Sequence, residues 1–352
     1  MNPADEAGAL RAGEELDANR LGAYLAEHFP DLELPLQLRQ FPSGFSNLSY
    51  LLTAGRRQLV LRRPPVGTRP KSGHDMHREF CVLSALRPAF ALCPQALHYC
   101  ADESVIGAPF YIVERMSGII LRRDYPPGLD ATPALVRAQQ TALIDTLAQL
   151  HDVDYRAVGL ADLGRPDGYV ARQVRGWSER YARAQTADAP QATGVTGWLA
   201  ANLPPGSRRA ALIHNDFKLD NVVFDSREPA RLIGVLDWEM ATIGDPLMDV
   251  GCSLAYWIEA DDAAEMHAMR MVPTELPGSL SRKEFLTRYS QASGIPSGDF
   301  GFYSVFGLFR LAVITQQIYY RYYHRQTRDT RFGALGPMTH LLMRRAEAEA
   351  RA

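Results

Sequence analysis

The chain has 352 residues, 46% of them hydrophobic and 22% charged, with a formal net charge of −2. That composition is ordinary for a globular chain in water, and the length suffices for one large core or two moderate ones. The near-neutral balance gives no electrostatic basis for nucleic acid or an anionic membrane as a partner.

Residues 1–18 are rich in Ala, Glu and Asp and predict a loose tail, with a first boundary near residue 20. Met1–Ala12 has no basic-then-apolar signal and no later apolar run approaches membrane-spanning length, so a cytoplasmic protein is expected. Leu21, Tyr24, Leu25 and Phe29 fall at helical spacing before Pro30. Gln37–Phe41 and Leu48–Thr53 read as strands of a hairpin, and Gln58–Arg63 as a third strand stopped by Pro64 and Pro65. A helical pattern follows in which Phe80, Leu83 and Leu86 share one face. His74 and His77 are three apart on it, but no third ligand follows at metal spacing. Cys81, Cys93, Cys100 and Cys252 likewise form no Cys-x-x-Cys pair and read as reduced thiols.

Pro109–Val113 predicts a buried strand ending in a turn near Gly118. Leu121–Thr132 is a loop, and Thr132-Pro133 starts a helix with a cap followed by proline in the first turn. Val136, Leu143, Leu147 and Leu150 are its buried stripe. Tyr169, Gln173, Trp177 and Tyr181 repeat along another helix, and 184–197 reads as a flexible connection. Further on, Asp245 before Pro246 is a helix cap, Asp249 is expected to brace the polar loop upstream, and residues 302–320 form a long amphipathic helix.

The chemistry concentrates in Leu212-Ile213-His214-Asn215-Asp216-Phe217-Lys218-Leu219-Asp220-Asn221, followed by the apolar Val222-Val223-Phe224. A second acid, Asp237, ends the apolar run Ile233–Leu236. Phosphoryl transfer needs an acid to orient an acceptor hydroxyl and hard oxygen ligands to hold magnesium on the phosphates. Asp216 can supply the first, and Asn221 with Asp237 the second. The alternative is a turn whose solvated acids cap nearby strands.

The pattern H-x-D-x-K-x-x-N with a strand-borne Asp resembles the protein-kinase-like superfamily, and His-Asn-Asp with Leu-Asp-Trp-Glu resembles the aminoglycoside phosphotransferase family. The resemblance runs from about Gln37 to the C-terminus. It implies a bilobal α+β fold, with a small antiparallel-sheet lobe at 21–116, a larger mainly helical lobe at 117–352, and ATP between them. It assigns the hairpin residues Gly44, Ser46 and Asn47 to the triphosphate, although no G-x-G-x-x-G loop is present. Arg62 stands where the wider superfamily has Lys, and Glu79 is its expected helical partner. The alternative for Arg62 is a strand-end side chain reaching for water. Glu114 and Met116 match the hinge that meets adenine. His214 is expected to hold the catalytic loop backbone, and Lys218 to steady the phosphoryl group in flight.

Several segments, among them Arg78-Glu79-Phe80-x-Val82-Leu83 and Ile318-Tyr319-Tyr320-Arg321-Tyr322, are similar to the phosphotransferase domains associated with acyl-CoA dehydrogenases. That similarity implies a hydroxyacyl-CoA or related hydroxy acid as acceptor. An aminoglycoside or amino-alcohol kinase would instead use Glu259, Asp261, Asp262 and Glu265 on a polycation, whereas the arginines of 301–352 suit an anion. A reading from another class is a nucleotide-binding pseudokinase, for which Arg62 is the one hint.

Overall fold

The computed structural model describes residues 6–41, 47–65, 75–205, 209–327 and 329–352. Its N-terminal elements are α1 (Ala18–His28), β1 (Gln37–Gln40), β2 (Leu48–Ala54), β3 (Arg57–Arg63), α2 (Met76–Leu86), β4 (Ala96–Cys100) and β5 (Phe110–Glu114). Helices α3 (Pro133–Asp152), α4 (Tyr169–Arg183) and α5 (Thr193–Ala201) follow, then the short strands β6 (Ala211–Ile213), β7 (Val222–Phe224), β8 (Leu232–Val235) and β9 (Thr242–Gly244). The chain ends in α6 (Pro246–Leu254), α7 (Ala264–Ala268), α8 (Arg282–Ser293), α9 (Gly301–Tyr323) and α10 (Leu335–Glu349). Two compact units divide these elements. One is Met1–Ile120 with Val158–Leu160 and Val222–Met240, the other Leu121–Ala157 with Ala161–Asn221 and Ala241–Ala352.

The first unit is built on a five-stranded antiparallel sheet in the order β1-β2-β3-β5-β4. Alternation dictates its faces. Leu59 and Leu61 of β3 join Tyr50 and Leu52 of β2 and Leu21 and Leu25 of α1 in one apolar cluster. Arg62, next after Leu61, leaves that face by the same period of two. Helix α2 is capped by Asp75, which accepts from Arg78 N at 3.0 Å, and it buries Val82, Leu83 and Leu86. Strands β7 and β8 pair antiparallel, Val222 opposite Val235, and bring the chain to Asp237.

The loose tail expected at the N-terminus is corrected from Glu6 onward. Gly8 bridges Gln40 at the edge of β1, Tyr50 donates its hydroxyl to Glu14 O at 2.7 Å, and Ala7 and Leu16 are buried. The edge of the sheet offers unpaired backbone groups, which this polar segment satisfies despite its composition.

The second unit is mainly helical. Thr132 caps α3 through Leu135 N at 3.3 Å, with Pro133 in the first turn, and Asp245 caps α6 through Leu247 N at 2.9 Å, as expected for both. Helices α6 and α9 cross in close contact, since a Cβ on Gly307 would sit 2.1 Å from Gly251 O. Any side chain there would push the two helices apart. The flexible connection expected over 184–197 is a second correction. Ala184 O accepts from Gln316 Nε2 at 2.9 Å, and α5 begins at Thr193 with Val195 and Leu199 fully buried. Ala, Gly and Thr are individually weak signals for a helix, but tertiary burial outweighs propensity over so short a segment. The expected small antiparallel sheet and larger helical part are therefore both present. Among the described residues no helix is long and apolar enough to cross a membrane.

Candidate active site

In the helical unit, the buried strand β6 delivers His214-Asn215-Asp216 to a loop held from beneath by α6. Asp249, fully buried, accepts from His214 N and Asn215 N at 2.7 Å each and meets His151 Nε2 at 3.2 Å. Burial alone would raise the Asp249 carboxyl, but the His151 hydrogen bond and charge, with the pull of His214, outweigh it and hold the group below the usual carboxylate range. The bracing role expected of Asp249 is thus visible. Asn215 adopts φ 66°, a left-handed conformation that Asn tolerates better than most residues. His214 Nδ1 then accepts from Asp216 N at 3.2 Å, the backbone-holding contact expected of it.

Asp216 Oδ2 accepts from both Lys218 Nζ and Asn221 Nδ2 at 2.8 Å, and the same amide nitrogen reaches Asp216 O at 2.8 Å. Among the described residues its Oδ1 has only a long contact, 3.4 Å, from the Tyr256 hydroxyl. Lys218 also lies 3.1 Å from Asp220 Oδ1, and its ammonium sits 5.4 Å above the Tyr256 ring. Burial would lower the Lys218 pKa, yet the charges of Asp216 and Asp220 outweigh it and hold the ammonium well above its ordinary range. Burial pushes the Asp220 carboxyl up, an effect its pairing with Lys218 offsets in part. The result is a carboxylate with one oxygen anchored and the other turned to lighter duty, able to accept a proton or a hydroxyl hydrogen bond.

The sheet unit carries the second cluster. Arg62 places Nη2 2.9 Å from Asp237 Oδ1 and Nη1 3.6 Å from Glu79 Oε1. Its side chain is only 14% exposed, which rules out the strand-end reading of an arginine reaching for water. Burial would lower the Arg62 pKa, but Glu79, Tyr111 and Asp237 together raise it. Glu79 also accepts from Trp238 N at 3.2 Å, so the α2 carboxylate grips the backbone next to Asp237, itself at φ 66°. Asn47 Nδ2 donates to Glu239 Oε2 at 2.7 Å. Glu114 ends β5, its N–H donating to Gln95 O at 3.0 Å, and the Met116 side chain packs where a Cβ on Gly234 would lie 2.6 Å from its sulfur. Gly44 and Ser46 lie outside the described residues.

With both clusters described, the likeness to known proteins becomes decisive. Residues 37–276 match the model of the phosphotransferase enzyme family. The chain belongs to that family. The phosphotransferase is 38% identical over 289 residues to acyl-CoA dehydrogenase family member 10 of Mus musculus, covering 82% of this chain and 27% of that protein. It is 36% identical over 316 residues to family member 11 of Homo sapiens, covering 88% of this chain and 40% of that protein. It therefore spans well under half the length of either relative. A crystal structure from Ralstonia eutropha, named provisionally as an aminoglycoside phosphotransferase, matches with a TM-score of 0.80 at 29% identity, over 96% of this chain and 99% of that one. A choline kinase from Cryptosporidium parvum shares the fold, with a TM-score of 0.65 at 9% identity over 95% of this chain and 96% of that one.

Each unit of this phosphotransferase carries hard oxygen donors. In the helical unit Asn221 spends its amide nitrogen on Asp216, which leaves Oδ1 as the acceptor of that side chain, and in the sheet unit Asp237 carries carboxylate oxygens. Among the described residues no three His, Cys, Asp or Glu side chains come together as a metal cage. Arg62 Nε is buried with no hydrogen-bond partner among the described residues, a donor of the kind that phosphate oxygens take.

Three participants were missed from sequence. Asp220 lies inside the motif, two residues from Lys218, and its charge could have flagged it. Glu239 closes the Leu-Asp-Trp-Glu motif but was given no role, and Tyr256 carried no local signal. Part of each acceptor surface considered from sequence is engaged in ion pairs. Arg282 pairs with Glu259 at 2.8 Å and with Asp262. Of the C-terminal arginines, Arg331, Arg345 and Arg351 pair with nearby acids at 2.6, 3.1 and 3.3 Å, and Arg328 is outside the described residues. Arg310 alone among those described is buried, its guanidinium 5.0 Å from the Trp177 ring centroid.

Proposed function

We propose that this phosphotransferase moves the γ-phosphoryl group of ATP onto an alcohol hydroxyl, with a hydroxyacyl-CoA or related hydroxy acid as acceptor. The observation that carries the reading is Asp216, anchored through Oδ2 by Lys218 and Asn221 and facing little competition at Oδ1. In this reading the acceptor oxygen bonds to the γ-phosphorus as the bond to the β,γ-bridging oxygen breaks. The hydroxyl proton goes to Asp216 and ADP leaves. Lys218 offsets charge on the phosphoryl oxygens, and Arg62, positioned by Glu79, takes the α and β phosphates. Asn221 and Asp237 would hold magnesium, which when bound neutralises charge on the phosphate oxygens. Gly44, Ser46 and Asn47 belong to the triphosphate, Glu114 and Met116 to the adenine edge.

The acyl reading draws on the two relatives named for acyl-CoA dehydrogenases. An aminoglycoside acceptor would need unpaired acids, and Arg282 already engages Glu259 and Asp262. A pseudokinase reading is disfavoured because the base and both oxygen ligands are present as residues. Asp216→Ala should abolish transfer and leave magnesium-nucleotide binding nearly intact, whereas Asp237→Ala should remove the magnesium dependence of that binding. An ATP-consumption screen across hydroxyacyl-CoAs, aminoglycosides, choline and homoserine decides the acceptor. Faster turnover of an aminoglycoside than of every acyl compound would reject the acyl assignment.

A further inference from the structure

We infer that Asp220 is a positioning residue of the transfer step, an inference that rests on the phosphotransferase reading above. It is the fixed end of a tether that keeps the Lys218 ammonium at the phosphoryl group when Lys218 lets go of Asp216. Asp216, Lys218 and Asp220 alternate along one loop of the helical unit. A cation therefore stands between two carboxylates, 2.8 Å from Asp216 Oδ2 and 3.1 Å from Asp220 Oδ1. The two acids are not held alike. Asp216 Oδ2 also accepts from Asn221 Nδ2 at 2.8 Å, whereas Asp220 Oδ1 is buried with no aligned hydrogen bond among the described residues. Burial pushes the Asp220 carboxyl up, and Lys218 is the largest influence in the other direction. A buried carboxylate oxygen without a hydrogen bond costs stability, and what it gains here is charge contact with one lysine.

The choice of cation fits a tether. Of the chain's 38 lysines and arginines only three are lysine, Lys71, Lys218 and Lys283. Elsewhere arginine meets paired acids, as Arg62 does with Glu79 and Asp237 and Arg282 with Glu259 and Asp262. A guanidinium between two carboxylates is a planar fork committed to both. An ammonium on a flexible stem has three rotatable donors and can exchange one partner while keeping the other. When the γ-phosphoryl oxygens arrive, Lys218 trades Asp216 Oδ2 for one of them, and Asn221 still anchors that Oδ2. Asp216 then takes the hydroxyl proton without Lys218 competing for its charge. Asp220 keeps the ammonium in reach throughout, and no bond to phosphorus or to the acceptor passes through it.

A double-mutant cycle with Lys218 provides the test. Asp220→Asn should lower kcat by about tenfold and leave the nucleotide KM and the half-saturating magnesium concentration within about twofold of wild type. In a Lys218→Met background the same change should cost nothing more, because the residue it acts through is gone. The same tenfold loss in that background overturns the tether, and so does a tenfold higher magnesium requirement, which would make Asp220 a metal ligand. Asp220→Ser replaces the asparagine variant if thermal melting shows that it does not fold. A second measurement needs no turnover. In protein labelled with 15N-lysine, the Lys218 ammonium gives the signal that disappears in Lys218→Arg. In nucleotide-free protein that signal should survive Asp216→Asn, since Asp220 still holds the ammonium, and vanish when Asp220→Asn is added. Its loss in Asp216→Asn alone overturns the inference. If no acceptor is phosphorylated the hydroxyl-acceptor reading fails, and this signal still decides the tether.

Discussion

The two charged clusters of this phosphotransferase are held in place by different physics. Around Asp216 the positioning groups are close in sequence and largely backbone. His214, Asp216, Lys218 and Asn221 fall within one short loop, and Asp249 fixes that loop through two amide N–H groups. Around Asp237 the contacts join residues far apart in the chain, Arg62 to Asp237 and Asn47 to Glu239. There one guanidinium spans two carboxylates, so position depends on charge and on the sheet that carries it. A loop pinned by its own amides stays rigid whatever ions are present. A cluster pinned by opposite charges is open to rearrangement when another anion competes for its cation.

The largest effect should come from unpinning the loop. Asp249→Ala leaves the His214 and Asn215 amides and His151 without their common acceptor, and removing one side of such a buried charged network costs about 3–5 kcal/mol. At roughly 2–4 °C per kcal/mol for a chain somewhat smaller than this one, Tm should fall by about 10 °C, and turnover should fall with it. A folded variant with Tm and turnover near the wild type would show that the loop is held elsewhere. The sign with pH follows from the depressed carboxyl. Its contribution is complete above the ordinary carboxylate pKa of about 3.9 and is lost as pH falls through the lower folded value. The Tm gap between wild type and Asp249→Asn should therefore narrow as the solution is acidified below about pH 4.

Arg62→Lys tests the other cluster with a smaller expected change. A guanidinium can meet Glu79 and Asp237 with separate nitrogens, as here, while an ammonium is a single point. The nucleotide KM should rise about tenfold, equivalent to roughly 1.4 kcal/mol, with little change in Tm. An unchanged KM would mean that the fork geometry is incidental. Raised salt should weaken nucleotide binding in this variant more than it disturbs the Asp216 loop.

The same contrast explains what the sequence made legible. Strands β2 and β3 follow from alternation, α2 and α9 from helical spacing, and the caps at Thr132 and Asp245 from residue type and proline. The Asp216 loop was readable because its parts share one motif. Glu79 as the partner of Arg62 came from family resemblance, whereas the Arg62–Asp237 contact was not foreseen, since no periodicity links residues 62, 79 and 237. Helix α5 was missed because its Ala, Gly and Thr content hides the burial of Val195 and Leu199. The N-terminal segment was misread because its acids advertise solvent, while its backbone closes the β1 edge through Gly8 and Gln40. Tyr256 was invisible for the simplest reason: a tyrosine forty residues from Asp216 in the chain has no sequence signal that it returns to it.

Tyr256 also supplies the smallest and sharpest prediction, because it touches the pinned loop without pinning it. Its hydroxyl stands 3.4 Å from Asp216 Oδ1, longer than the usual O–H···O bond, while Oδ2 of the same carboxylate already holds Lys218 and Asn221 at 2.8 Å. Burial pushes the phenol well above its ordinary pKa, so it remains a proton donor across the working pH range and is no base. Tyr256→Phe removes the hydroxyl and keeps the ring that lies 5.4 Å from the Lys218 ammonium. The net worth of one such hydrogen bond is about 0.5–1 kcal/mol, which is a two- to fivefold loss in kcat. Tyr256→Ala, which also deletes the ring beside the Lys218 ammonium, should lower kcat further. A hundredfold loss in Tyr256→Phe would place the phenol in the proton transfer itself, and Asp216 would then no longer be the sole acid-base group of the loop.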